Sequence, residues 1–391
     1  MSRDKEGYNI CMETLRGHIF VDKSFTEGEV KYENGIITEV SRLDKGTLTP
    51  EEDAKYIIPG LVDIHFHGCM GVDFCDLAKE TGTDTTDVLE RIAEYETSVG
   101  VTTICPATMT YDEDTLVKIM RRAASYSRKA GENPVGIPAG IYLEGPFISY
   151  EKRGAQNPEY IMKPDADMVK RLNEAAGGLI RVVTVAPETE GAIDCISELS
   201  QEGFVCSIAH TTADYDTALK AVRAGADHVT HLYNAMPPFL NRAPGPVGAA
   251  FDSKSAYVEL IADGVHVHPS LVRATFEMFG ADRVILISDS MEATGMPDGK
   301  YSLGGQDVYK CGKCATLSDG TIAGSVTNLF DCMKCAIAMG VPKEAAILAA
   351  TINPAKSVGI DGTVGSIEAG KQAKLLVCDN DMNCLDVIIV Q

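Results

Sequence analysis

Six residues with ligand or acid–base chemistry stand out in this 391-residue chain: His65, His67, Glu144, His210, His231 and Asp289. His65 and His67 form an H-x-H pair in LVDIHFH. Residues i and i+2 of an extended strand project to one face, so both imidazoles can reach one ion. Val62, Ile64 and Phe66 are then expected on the opposite face, against helices. Glu144 offers hard oxygens that bind one ion or bridge two, and His210 and His231 add nitrogens. Imidazoles with carboxylates suit one or two divalent ions of Zn, Fe, Co or Mn better than Ca or Mg. An H-x-H alone is a weak signal, and a lone strand-end His is often a structural hydrogen-bonder. The chain has eight His, however, and chance poorly explains four of them at strand-end ligand positions.

These residues need elements to hold them. Eight short apolar runs follow one another: LVDIHFH (61–67), TTICPA (102–107), GIYLEG (140–145), RVVTVAP (181–187), FVCSIAH (204–210), DHVTHLYN (227–234), YVELIADG (257–264) and RVILISD (283–289). Most intervals carry an amphipathic helical pattern, as in 84–100, 112–131 and 214–225. In the next helical stretch Met168 and Leu172 read as core. Eight βα units over roughly 250 residues predict an α/β chain closed into a (β/α)8 TIM-like barrel. The strand C-termini form the catalytic face of such barrels, and the six residues fall on that rim. An open doubly wound sheet usually shows a Gly-rich turn after its first strand, and none is present. Residues 17–58 and 363–390 read instead as short strands with Asn-Gly and Glu-Gly turns. They predict one small β-sandwich built from both ends, dividing the chain at 1–58, 59–355 and 356–391.

Composition narrows the partners. A net charge of -21 repels nucleic acid and anionic membranes. An anionic substrate would need a local cluster of Arg, His or backbone N–H groups. The start, MSRDKEGYNI, has no apolar signal core and no run is long enough to span a bilayer, so a cytoplasmic protein is expected. Several of the 12 Cys, such as Cys206 and Cys378, sit in apolar runs and read as small buried hydrophobes in a reducing compartment. Cys311, Cys314, Cys332 and Cys335 match a C-x2-C…C-x2-C zinc spacing. The helical pattern around Cys332 and Cys335 argues against it, because zinc ribbons supply ligands from turns.

The same segments carry a family resemblance. PGLVDIHFHG (59–68), YLEGPF (142–147), THLYNAM (230–236), ADGVHV (262–267) and ISDSMEATG (287–295) resemble the motif series of the N-acetylglucosamine-6-phosphate deacetylases. AGS (323–325), TINPA (351–355) and GSIEAGKQAKLLVCD (365–379) extend the likeness from about residue 10 to 390. THLYNAM and LEGPF are specific to that group, while the H-x-H and Asp289 mark the wider amidohydrolase superfamily. The resemblance implies that Glu144, His210 and His231 bind the main divalent ion and that His65 and His67 hold a second. It implies Asp289 as catalytic acid/base, and Asn234, the Ala235 backbone, Arg242 and His266 around an amino-sugar phosphate. It also implies a homodimer, with part of the site supplied by a neighbouring subunit. Two positions depart from the pattern. Gln156 stands in KRGAQNP (152–158) where the family usually has a His that polarises the amide carbonyl, and Ala209 where Gly is common.

The chemistry expected is hydrolysis of an unactivated acetamide, with Asp289 moving the proton and Gln156 beside the carbonyl. A cyclic-imide or dipeptide hydrolase competes, but many of those use a modified Lys on strand four, and RVVTVAP has none. A non-catalytic barrel scaffold is opposed by the full ligand set.

Overall fold

In the computed structural model, which describes residues 12–79, 86–129 and 138–389, the chain opens with an antiparallel meander. Strands β1 (Glu13–Val21), β2 (Ser24–Glu33) and β3 (Ile36–Arg42) pair in order, helix α1 (Pro50–Asp53) follows, and β4 (Tyr56–Pro59) lies parallel to β1. The turns are Asp22-Lys23 and Asn34-Gly35, all four residues having positive φ as a two-residue hairpin turn requires. The Asn-Gly expectation holds there. The Glu-Gly one does not: Glu27 and Gly28 lie inside β2, where a Cβ on Gly28 would come within 2.3 Å of Ile19. That glycine serves packing rather than turning.

The eight apolar runs form the barrel. After β5 (Leu61–Asp63) comes a short hairpin, β6 (Gly68–Cys69) and β7 (Val72–Asp73). The remaining barrel strands are β8 (Val101–Ile104), β9 (Ile141–Leu143), β10 (Ile180–Val185), β11 (Val205–Ile208), β12 (Ala226–Val229), β13 (Tyr257–Leu260) and β14 (Val284–Leu286). Strands β9 to β14 form a six-stranded parallel sheet, and β5 pairs parallel to β8. A parallel bridge from Ala107 to Tyr142 joins the two sheets. The ring closes at its upper rim, where Asp289 N–H donates to His65 O (3.0 Å) and His67 N–H to Ser290 O (2.7 Å). Closure therefore runs through the segments that carry candidate ligands.

Helices α2 (Thr86–Ser98), α3 (Glu113–Lys129), α4 (Ala166–Ala175), α5 (Ala192–Gln201), α6 (Tyr215–Ala224), α7 (Gly245–Ser253), α8 (Pro269–Phe279), α9 (Leu329–Ala338), α10 (Lys343–Ala350) and α11 (Ile352–Ser357) follow the strands. Asp165 and Asp214 cap α4 and α6 by accepting from Met168 N–H and Thr217 N–H. Met168 and Leu172 are buried on α4, as expected. Outward strand residues such as Ile104, Val183 and Leu286 join the helix-facing core, where each fully buried aliphatic side chain contributes about 1.5–3 kcal/mol. The expected facing of the first run is corrected here. Val62 and Ile64 pack with Tyr142, Val182 and Ile285 inside the barrel, while Phe66 joins the outer core. Strand β5 ends at Asp63, so strict alternation does not extend to His65 and His67. Ala355, Val358 and Val364 belong to the same inner cluster.

An insertion between β14 and α9 forms an antiparallel sheet of β15 (Gly299–Leu303), β16 (Gln306–Cys311) and β17 (Cys314–Thr316). Nothing in the sequence reading marked it, although Gly304 and Gly305 make its turn with positive φ. Cys311 and Cys314 face each other across this hairpin, whereas Cys332 and Cys335 ride on α9. Among the described residues these thiols form no metal-ligand group. Finally β18 (Lys374–Cys378) pairs with β4, and β19 (Cys384–Ile389) with β18. All six end strands hydrogen-bond into one sheet, which curls until Ile36 bridges Gln372. The strand-rich ends thus share a core of their own, with Ile19, Val30, Ile37, Ile57 and Leu375 at its centre.

Candidate active site

Past the strand ends the backbone kinks inward. His210, His231 and Asp289 have φ of 41, 29 and 49°. A left-handed conformation costs a non-glycine residue about 1–3 kcal/mol, and such strain collects at functional sites. Glu144 is aimed by the next residue: Gly145 has φ 72°, donates to Thr184 Oγ1 (2.8 Å), and would place a Cβ 2.0 Å from Thr110 Oγ1. Only glycine fits there.

The side chains assemble into two buried groups, His65–His67–Asp289 and Glu144–His210–His231. Glu144 joins them. Its Oε1 lies 3.2 Å from both His210 Nε2 and His231 Nε2, and 3.5 Å from His65 Nε2. Its Oε2 lies 3.3 Å from His67 Nε2, which is also 3.3 Å from Asp289 Oδ1. Backbone and carboxylate partners orient the rings. His210 Nδ1 donates to Lys152 O (2.8 Å), which leaves the Nε2 lone pair facing the centre. His65 Nδ1 donates to Glu259 Oε2 (3.0 Å), and the ring stacks on Tyr142 with centroids 4.3 Å apart.

The donor set fits divalent cations. Nε2 of His210 and His231 sit 3.1 Å apart, and two lone pairs that close need a shared cation or proton. His65 Nε2 is buried without a hydrogen bond, 3.8 Å from Asp289 Oδ1. Electrostatics agree. Burial disfavours charge on His65, but Glu144 and Glu259 outweigh it and raise the imidazole well above its ordinary value. Burial likewise opposes charge on His67, yet Asp289 and Glu144 push it up to about 10. Burial acts to raise Glu144, and the surrounding imidazoles hold it well below the carboxylate range. The centre attracts positive charge.

Above it opens a cavity of about 480 Å³, within the size range of small-molecule sites. The Amidohydrolase family profile matches residues 56–390. The chain belongs to the amidohydrolase family. This amidohydrolase is 37% identical to the N-acetylglucosamine-6-phosphate deacetylase of Bacillus subtilis (strain 168) over 336 residues, 83% of this chain and 81% of that one. It is 33% identical to the N-acetylgalactosamine-6-phosphate deacetylase of Escherichia coli O157:H7, covering 92% of this chain and 93% of the relative. Its fold matches N-acetyl-D-glucosamine-6-phosphate deacetylase from Mycobacterium smegmatis, solved in complex with N-acetyl-D-glucosamine-6-phosphate. There the TM-score is 0.87 at 31% identity, with 97% and 98% of the two chains covered.

Most sequence-assigned residues of the amidohydrolase meet in this cavity: His67, Glu144, Gln156, His210, His231, Asn234, Ala235, His266 and Asp289 line it, with His65 beneath. Gln156 is held at both ends. Thr110 N–H donates to its Oε1 (2.7 Å), so its amide nitrogen must face Glu144 Oε2, also at 2.7 Å. His266 Nδ1 donates to Asp263 Oδ2 (2.8 Å); burial lowers this imidazole, and Asp263 more than restores it, raising it overall. Arg242 is not brought in. It stands exposed in a loop whose Leu240 and Ala243 bridge each other, and it is not among the residues that line the cavity.

The sequence reading missed Glu259, which is fully buried and also accepts from His231 N–H (3.3 Å). Its signal was a charge inside the apolar run YVELIADG. Lys152 and Arg153 were also missed, and they put an ammonium and a guanidinium on the cavity wall.

Proposed function

We propose that this amidohydrolase hydrolyses the acetamide of N-acetyl-D-glucosamine 6-phosphate, giving D-glucosamine 6-phosphate and acetate. The observation that carries the reading is the pair of buried ligand groups joined through Glu144, with Asp289 beside them at the floor of an open cavity. Glu144, His210 and His231 would hold one divalent ion and His65, His67 and Asp289 the edge of a second, of Zn, Fe, Co or Mn. Such ions supply Lewis-acid polarisation of the acetyl carbonyl and a water acidified to about pKa 7.

The chain's own groups do the rest. Asp289 Oδ1 receives the proton of the attacking water and returns it to the departing amine nitrogen. Burial alone would raise this carboxyl, and His67 and His65 hold it below the usual value, so it is ionised and ready to accept. Gln156 keeps Glu144 turned so that Oε1 faces His210, His231 and His65 while Oε2 faces His67. The neutral Gln156 amide is taken up by Thr110 and Glu144, so a cation held by His65, His67 and Asp289 would supply the carbonyl polarisation. Asn234, Ala235 and His266 hold the sugar phosphate. In a homodimer Arg242, beside exposed Phe239 and Leu240, would reach toward a neighbouring copy's substrate. We place the enzyme in the cytoplasm; among the described residues no helix is long and apolar enough to cross a membrane.

A second reading, N-acetyl-D-galactosamine 6-phosphate as substrate, is favoured by the breadth of likeness to the Escherichia coli relative. Acetate release from each sugar phosphate, before and after chelation and metal return, tests both. Release from neither after metal return would end the proposal. Faster release from the galactosamine compound would move it to the second reading.

A further inference from the structure

Two cysteines outside the active site are placed together by the fold. Cys378 ends β18, Cys384 begins β19, and the two are register partners where the antiparallel ladder shifts past Leu385. Their side chains share a thiol hydrogen bond, and regular antiparallel partners, with Cα atoms about 4.5–5.5 Å apart, already fall inside the roughly 4.4–6.8 Å range of disulfides. The five-residue loop between them is tied shut. The Asp379 carboxylate accepts from Asp381 N–H (2.9 Å), Asn383 N–H (2.8 Å) and Asn383 Nδ2 (2.8 Å). That holds both cysteines at the neck of a rigid hairpin. The thiols are also unequal in access: Cys378 is fully buried and Cys384 is half-buried.

From this register pair we infer a thiol–disulfide exchange site, in which a low-molecular-weight disulfide such as oxidised glutathione converts Cys378 and Cys384 to an internal cystine that staples β19 to β18. The reachable Cys384 thiolate attacks one sulfur of the small disulfide, forming a mixed disulfide and expelling one small thiolate. Cys378 Sγ then attacks Cys384 Sγ as its proton passes to the departing small sulfur. The mixed bond breaks, the protein disulfide forms, and the second small thiol leaves. Two protein thiols are oxidised and one small disulfide is reduced to two thiols.

The chemistry of the pair suits those roles. The Cys378 thiol, against burial, lowers Cys384 to about 7, and the same contact raises Cys378, so Cys384 is the better nucleophile of the two. Burial drives Cys105, Cys195 and Cys206 up to about 12 instead, which makes them inert. Neither Cys378 nor Cys384 lines the active-site cavity.

Both residues fall in one tryptic peptide, 375–391, so oxidation reads as loss of two hydrogens from that peptide. The full-length, metal-loaded protein is incubated with oxidised glutathione, blocked with iodoacetamide and mapped without reduction. The expected result is the two-hydrogen loss in 375–391, reversed by dithiothreitol. In Cys378→Ser the same peptide should stop at a glutathione adduct on Cys384, and in Cys384→Ser it should stay unmodified. Retention of both alkylated thiols in 375–391, while the hairpin pair Cys311 and Cys314 oxidises, would overturn the assignment. So would an adduct on Cys378 in Cys384→Ser that equals the wild-type yield. The wild-type map needs no variant, so it stands even if a substitution fails to fold.

Discussion

Glu259 should set the metal affinity of the site without touching metal. One carboxylate oxygen accepts from His65 Nδ1 at 3.0 Å and from His231 N–H at 3.3 Å, so it grips a histidine from each buried group. The residue has no exposed surface. Glu259→Gln keeps the shape and one acceptor oxygen but makes the bond to His65 neutral. A charge-assisted hydrogen bond is worth about 1.5–3 kcal/mol against roughly 0.5–1.5 for a neutral one, so about 1 kcal/mol or slightly more is lost. That corresponds to roughly tenfold weaker metal binding, the low end of the 10–100-fold usual for outer partners of ligating histidines. Glu259→Ala removes both acceptors and leaves two buried N–H groups unsatisfied, at about 1–3 kcal/mol each. It should weaken binding by about 100-fold or more and lower Tm as well. Competition with a chromogenic chelator gives the affinity, and elemental analysis gives the stoichiometry. At saturating metal the Gln variant should regain most of its kcat. Metal affinity within twofold of wild type in both variants would refute the reasoning.

Other substitutions probe separate parts of the site. Asp289→Asn should keep the ion held by Glu144, His210 and His231 but lose roughly 10²–10⁴-fold in kcat, the scale of a general acid–base group; near wild-type turnover would remove it from proton transfer. Arg242→Ala should raise KM by about tenfold or more for the phosphorylated sugar and much less for N-acetylglucosamine, from a charge-assisted bond of about 1.5–3 kcal/mol. Equal losses on both substrates would show that it does not read phosphate. A His65→Ala/His67→Ala variant, shown to carry one ion, should lose most of its kcat and recover part of it with Gln156→His added; full activity in the double variant would mean that one ion suffices. Lys374→Met tests the end sheet. Burial lowers this ammonium to about 8, against 10.5 when free. Below pH 8 both folded and unfolded states are charged, so the fold bears the whole penalty, and the Met variant should gain up to about 3 kcal/mol. Between pH 8 and 10.5 the unfolded chain binds more protons than the folded one, wild-type stability rises, and the gain should shrink. A Tm difference that is flat with pH would reject this account.

The amino-acid order alone determined the barrel, because two-sided burial of parallel strands demands short apolar runs between amphipathic helices, and all eight runs became strands. It also marked the rim residues, since His65, His67, Glu144, His210, His231 and Asp289 lie in the later part of those runs, and position along a strand is a local property. Which atoms face one another was not local. The inward turn of His210, His231 and Asp289 depends on left-handed backbone after the strand ends, and the meeting of His65 with Asp289 depends on ring closure by distant hydrogen bonds. Glu144 shares its two oxygens between the histidine groups only because the cap of Gln156 on Thr110 and the tight Gly145 turn fix its direction. The burial of Glu259 under His65 was likewise decided by packing between elements far apart in the chain, and the 299–316 hairpin by strand pairing that the apolar runs did not announce. Periodicity reports which face of an element is buried. Only the closed structure says what that face meets.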